Sequence, residues 1–391
     1  MPKDRFAFDS TLFIVVIVLL VFGVVMVYSA SSFKAQEERG DNHFYLKNHF
    51  YKVGIAFLLM LVVAKIKYTF WLKMSPYILF LSFCALIFLL VSPTVEAIRG
   101  SRRWIILGPV QFQPSDFARM ALVLFLSHSL GRNDFKTKED DNHFYKMLAV
   151  VGLIALPVLL QPDIGTAGLL VLIAVTLIFL SGEKLRHLLL LPLISTPLFL
   201  LYLQHSDYQR QRVLQYIASL KGEELSWQTQ QSLIALGNGS FFGLGLGSGR
   251  QKYHFLPDPF TDFIYAIIGE EFGVLGTVAI LALFAVLIWR GFKIALRALD
   301  SKARLLGVGI VLNIAVYVIA NAGVVTNLLP TTGIPMPFLS YGGSALLVNL
   351  FGVGILLNIS AQNRANRRVN AVSNIYRRGQ NIRRYGRSRT Y

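Results

Sequence analysis

A single cysteine, Cys84, stands in 391 residues, which excludes an internal disulfide and any cysteine-cluster metal site. Charge is scarce, at 15% of residues, and acid is the scarcer sign, with 21 Asp and Glu against 38 Lys and Arg. No soluble block of domain length separates the apolar runs; the longest interval, 204–262, is shorter than most domains. The glycine-dense segment GNGSFFGLGLGSGRQ (237–251) lacks the Lys-Ser/Thr ending of a P-loop, so a nucleotide-driven pump is not expected.

What is there is hydrophobic: 54% of residues, in blocks of about 17–25, the length that crosses a bilayer. The pattern predicts an all-α polytopic membrane protein of about ten transmembrane helices, near 10–30, 49–65, 75–92, 115–131, 145–160, 164–181, 186–203, 263–290, 304–328 and 341–361. One long extracytoplasmic loop joins spans seven and eight. The expected organisation is a membrane domain over 1–362 and a basic cytoplasmic tail over 363–391. The first span has no small-residue cleavage site and reads as a retained helix.

With the N-terminus inside, inner segments carry about 25 Lys and Arg and outer ones about 11, so both termini are predicted cytoplasmic. The Arg pairs of the tail, such as Arg367/Arg368 and Arg377/Arg378, then serve as topology determinants touching anionic headgroups, and no nucleic-acid partner is expected.

Carboxylates inside such a chain call for a reason, because ionisable groups are costly in hydrocarbon. In FLPDPFTDFIYAIIGEEFGVLG, Asp262 opens an apolar run after the longest polar interval, which places it near the outer water–lipid boundary. Thr261 is a good N-cap for that run, and an acid in the first turn suits the helix dipole, so a structural Asp262 is the competing reading. Glu270 and Glu271 lie about two turns deeper; one is expected to pair across the bundle and the other to bind a neighbouring segment.

Five further groups fall on the predicted outer side. Arg99, Arg102 and Arg103 break the positive-inside trend; they suit either a phosphate partner, which guanidinium forks hold bidentately, or a headgroup anchor beside Trp104. Asp116 and Arg119, three residues apart on one helical face, form either a self-neutralising pair or the lining of a polar cavity. Asp163 reads as a helix cap in a tight turn. Arg210, Arg212, Arg250 and Lys252 flank the long loop and, with glycine backbone donors, fit a diphosphate-bearing lipid. The segment Pro330–Ser344, with Ser340 and Ser344, is irregular backbone at membrane depth, which implies a cavity.

On these residues the chain resembles the SEDS family, and FtsW more than RodA, over all but the basic tail. The segments are Gly23–Ser31, Gly100–Arg119, Gln161–Ala167, Gln230–Lys252, Leu256–Gly273 and Gly333–Leu347. The resemblance implies a peptidoglycan glycosyltransferase that polymerises lipid II at the outer face of the bacterial cytoplasmic membrane during cell division. It further implies work beside a class B penicillin-binding transpeptidase and other divisome proteins. Asp262 falls on the family's essential aspartate, and Gln231 and Ser232 fall in a substrate-binding segment. Asp258, Pro259 and Phe260 replace the family's Glu, Ala and His, while Asp116 and Arg119 stand where Glu and Lys are usual. The partners expected are lipid II and a polyprenyl-diphosphate glycan chain. No cofactor is identifiable, and a divalent cation, Mg or Mn, stays open. A lipid II flippase and a noncatalytic scaffold for the transpeptidase are the alternatives.

Overall fold

The computed structural model describes residues 8–92, 103–107, 110–131, 141–183, 203–204, 206–223 and 225–387. In chain order the helices are α1 (Ser10–Arg39), α2 (Phe44–Lys65), α3 (Tyr68–Val91), α4 (Pro114–Leu130), α5 (Asp141–Leu160) and α6 (Ile164–Leu180). Next come α7 (Asp207–Leu220), α8 (Trp227–Gly239), α9 (Ile264–Leu296), α10 (Ser301–Val325) and α11 (Gly343–Arg387). Each expected span except the seventh coincides with one of these helices; the seventh, 186–203, falls almost wholly outside the described residues. By length and composition, seven of the described helices are long and apolar enough to cross a membrane. Helix α11 runs from the last span through the basic segment to Arg387.

Apolar residues point both ways on these helices, as a bilayer solvent allows. On α1, Ile14, Val18, Val21 and Val25 face outward, while Val15, Val16, Leu19 and Met26 are buried. Helices α10 and α11 are central, with 78% of their apolar windows buried, whereas α2 is peripheral at 22%.

Caps double as tertiary ties. The Asp9 carboxylate accepts the Leu12 N–H at 3.0 Å to start α1 and also binds Arg290 at the end of α9. Asp300 caps α10 through the Ala303 N–H at 2.6 Å and accepts the Tyr68 hydroxyl at 2.6 Å. Burial pushes the Asp9 carboxyl up, but the bonds from Arg290 and Leu12 and the charges of Arg290 and Arg364 outweigh it, leaving the group below the usual carboxylate range.

Two elements differ from expectation. A short antiparallel hairpin, β1 (Ile105–Leu107) and β2 (Val110–Phe112), pairs Ile105 with Phe112, and among the described residues these are the only strands. The interval expected as one long loop holds two helices, α7 and α8, separated by the turn after Leu220 at Gly222, whose φ is +79°.

Candidate active site

The chain approaches α9 through a string of turns, and helix φ/ψ begin only at Ile264, with Phe263 as N-cap and no side-chain cap. This corrects the expectation for Thr261: its hydroxyl donates to the Asp258 carbonyl at 3.0 Å and caps nothing. Asp262 is therefore outside the helix and half-buried.

Three consecutive carbonyls around it are each held by a donor from elsewhere. The Tyr341 N–H donates to Phe260 O at 2.8 Å, the Ser340 hydroxyl to Thr261 O at 2.6 Å, and Asn321 Nδ2 to Asp262 O at 2.7 Å. Asn321, at the end of α10 and buried, also donates to Ile334 O at 2.8 Å, so one amide ties the aspartate's backbone to the 331–341 loop. A Cβ at Gly333 would stand 3.3 Å from Asp262 Oδ2, and φ there is +71°, so glycine keeps the loop close without crowding the carboxylate. With its backbone fixed from three directions, the carboxylate is positioned rather than free to wander.

The flank of this site is aromatic and basic. Phe260, Tyr45 and Tyr341 form a mutual cluster with ring centroids 4.8–5.6 Å apart. Lys52 donates to the Tyr341 hydroxyl at 3.1 Å, and Lys34 pairs with Asp258 at 3.2 Å while lying 5.6 Å from the Phe260 ring. Lys52 sits inside an apolar span, a signal by which the sequence reading could have found it. Asn321 carried no such mark, because a lone amide on an apolar helix is unremarkable until its acceptors are known.

Other expected residues distribute as follows. Arg212 donates to Thr331 O at 3.3 Å, tying α7 to the loop that holds Gly333. Arg210 and Arg250 are exposed. Arg103 binds the Gln161–Asp163 turn through the Gln161 and Pro162 carbonyls and lies 3.7 Å from Asp163. Asp163 caps α6 by accepting the Thr166 N–H at 3.2 Å. Arg102 lies outside the described residues. Gln231 is buried on α8, and Ser232 donates to the Thr229 and Val325 carbonyls. Ser344 accepts the Gln113 N–H at 2.8 Å and donates to Gln111 O, which seats the hairpin on α11. Asp116 and Arg119 meet at 3.4 Å in a fully buried setting, with the guanidinium 3.7 Å from the Tyr317 ring.

Lys252 is a correction. Its side chain is 3% exposed, pairs with Glu271 at 2.8 Å and donates to Ser29 and to the Gly247 carbonyl, so its charge is spent inside the protein rather than at the exterior mouth. The glycine-rich loop is likewise committed elsewhere. Helix α9 breaks at Gly273 (φ 67°, ψ −163°). The Ser240 and Phe241 carbonyls accept the Val274 and Leu275 N–H groups, while the Leu244 and Gly245 N–H groups donate to the Glu270 and Glu271 carbonyls. The Glu270 carboxylate takes the Arg250 and Gln251 N–H groups and Asn238. The loop thus satisfies the backbone freed by a helix break at membrane depth, which hydrocarbon could not do. Its glycines permit backbone-to-backbone approach: a Cβ on Gly243 would meet the Glu271 carbonyl at 2.2 Å.

Among the described residues no group of three or more His, Cys, Asp or Glu side chains converges as a metal cage.

Residues 9–365 match the cell cycle protein family of FtsW, RodA and SpoVE. Stage V sporulation protein E of Bacillus subtilis is 39% identical over 358 residues, 91% of this chain and 98% of that protein. The Probable peptidoglycan glycosyltransferase FtsW of Geobacter sulfurreducens is 37% identical over 362 residues, covering 92% and 97%. Among solved structures, a chain of a peptidoglycan synthase complex that coordinates polymerization and crosslinking superposes with a TM-score of 0.72 at 26% identity, covering 91% of this chain and 98% of that one. The rod shape determining protein RodA of Thermus thermophilus gives 0.67 at 26% identity, covering 93% and 99%.

Proposed function

Because the chain belongs to the cell cycle protein family of FtsW, RodA and SpoVE, we propose that it is a peptidoglycan glycosyltransferase with Asp262 as its general base. It extends glycan strands from lipid II at the outer face of the cytoplasmic membrane during cell division, with both termini cytoplasmic. The observation that carries the reading is the half-buried aspartate whose backbone is pinned just ahead of α9, in a multi-pass protein whose relatives include named glycosyltransferases.

In the reaction, the 4-hydroxyl of the acceptor's terminal GlcNAc attacks the anomeric carbon of the polyprenyl-diphosphate donor. The new C–O bond forms as the bond to the diphosphate breaks, the hydroxyl proton passes to Asp262, and one displacement inverts α to β. A carboxylate is a feeble base toward a sugar hydroxyl, so proton removal runs together with bond formation. Base catalysis of this kind contributes on the order of 10²–10⁴-fold, and orientation and stabilisation of the leaving diphosphate supply the rest. Arg210, Arg212 and Arg250, with Arg102 and Arg103, are the cations assigned to that diphosphate; a divalent ion, Mg or Mn, would enter with the substrate. The transpeptidase of class B is the expected partner, in keeping with the synthase complex whose chain this one resembles.

The test is gel analysis of glycan products from purified protein and lipid II, for wild type and Asp262→Asn, each with and without the transpeptidase. Polymer from wild type alone or with partner, and none from the folded variant, is the expected result. Polymer from the variant overturns the base assignment, and lipid movement without polymer would make the protein a transporter.

A further inference from the structure

Arg290 to Arg297 lie roughly 40–50 Å along α9 from Asp262, at the helix's far end. There the α1 cap and residues 363 and 364 of α11 join α9 around a hollow of about 100 Å³, lined by Asp9, Arg290, Lys293, Arg297, Asn363 and Arg364. Its volume is that of about three waters. Four cations and one carboxylate line it. Asp9 is taken by Arg290, with Arg364 at 3.8 Å, and among the described residues no carboxylate comes within ion-pair distance of Lys293 or Arg297. The neutral donors are already used: Asn363 donates to Ile294 O at 3.1 Å, and Ser360 to Leu357 O at 3.0 Å. What the hollow offers is guanidinium and ammonium donors in excess, the complement of a tetrahedral oxyanion.

Its depth is marked by Trp289, 57% exposed at the end of an apolar run, with Lys293 Nζ 4.8 Å from its ring and the Arg290 guanidinium 5.6 Å away. An exposed indole at that position belongs to the headgroup layer. Leu296 and Leu299 are exposed beside it, apolar surface that acyl chains can cover. We infer that this hollow is a binding site for a phosphate group, carried either by an anionic lipid headgroup or by free phosphate.

The full-length protein in detergent is titrated with phosphatidylglycerol, with phosphatidylcholine and with inorganic phosphate, and bound species are counted by native mass spectrometry. The same titrations are run on Lys293→Ala/Arg297→Ala, a variant that removes no ion pair. Wild type retains phosphatidylglycerol over phosphatidylcholine, and the double variant weakens that retention about thirtyfold. Inorganic phosphate that binds wild type with the same dependence on the two cations identifies the free ion as ligand; phosphatidylglycerol retained without phosphate binding identifies the lipid. If the variant does not fold, displacement of bound phosphatidylglycerol from wild type by phosphate or by high salt supplies the result instead. Equal retention of both lipids by wild type, or retention unchanged in a folded double variant with no phosphate binding, overturns the site.

Discussion

Asp262 and Glu271 are nine positions apart in one motif and have opposite fates. Glu271 is 1% exposed, accepts the Ser29 hydroxyl through both oxygens at 2.6 and 2.8 Å and holds Lys252, so its charge is fully answered within the bundle. Asp262 is half-buried, and its backbone is bolted to α10 and the 331–341 loop. A carboxylate sealed among its partners can brace a broken helix; one on a half-buried residue with a fixed backbone can be held in place for chemistry. The difference is made by partners from α1, α10 and two loops, none of them close in sequence.

The widest separation between the two acids is in activity. Asp262→Asn should lower the rate of glycan polymerisation by about 10²–10⁴-fold with the thermal melting curve unmoved. A variant that polymerises normally erases the distinction. For Glu271→Ala the expectation is reversed: about 3–5 kcal/mol of stability is lost because Lys252 is left buried and uncompensated, and Glu271→Gln with Lys252→Met recovers most of it. Thermal melting in detergent measures both, and an unaltered Glu271→Ala would show that the pair is not sealed.

Asn321→Ala sharpens the comparison from the Asp262 side. Two carbonyls lose their donor, at roughly 1–3 kcal/mol, and the aspartate's backbone is loosened. Turnover should fall roughly tenfold while the concentration of lipid II for half-maximal rate changes little, a split that simple unfolding would not produce. The smallest effect concerns the third partnered acid, Asp9. Its folded carboxyl titrates below the unfolded value near 4, so its contribution is present above that value and lost as pH falls through the folded one. The melting-temperature gap between wild type and Asp9→Asn should hold from pH 7 to pH 5 and close below about pH 4; a gap that widens in acid would reverse the assignment.

Much of this was legible in the sequence. Apolar blocks of bilayer length place every described span, since a helix in hydrocarbon must satisfy its own backbone and a run of the right length leaves little choice. The cost of charge in lipid marks Asp262, Glu270, Glu271, Asp116 and Arg119 as positions needing explanation. That same rule does not say which partner each one finds. The sequence alone offered Lys252 to the diphosphate and the glycine loop to its oxygens. The fold turned both inward, because the break at Gly273 exposes backbone groups that only a close-approaching loop can answer. Local composition determined the spans, the expected outer placement of the polar segments and the set of candidate groups. Tertiary contacts over hundreds of residues, Ser29 to Glu271 among them, decided which carboxylate was silenced and which was held ready, since hydrogen-bond partners are chosen in space and not along the chain.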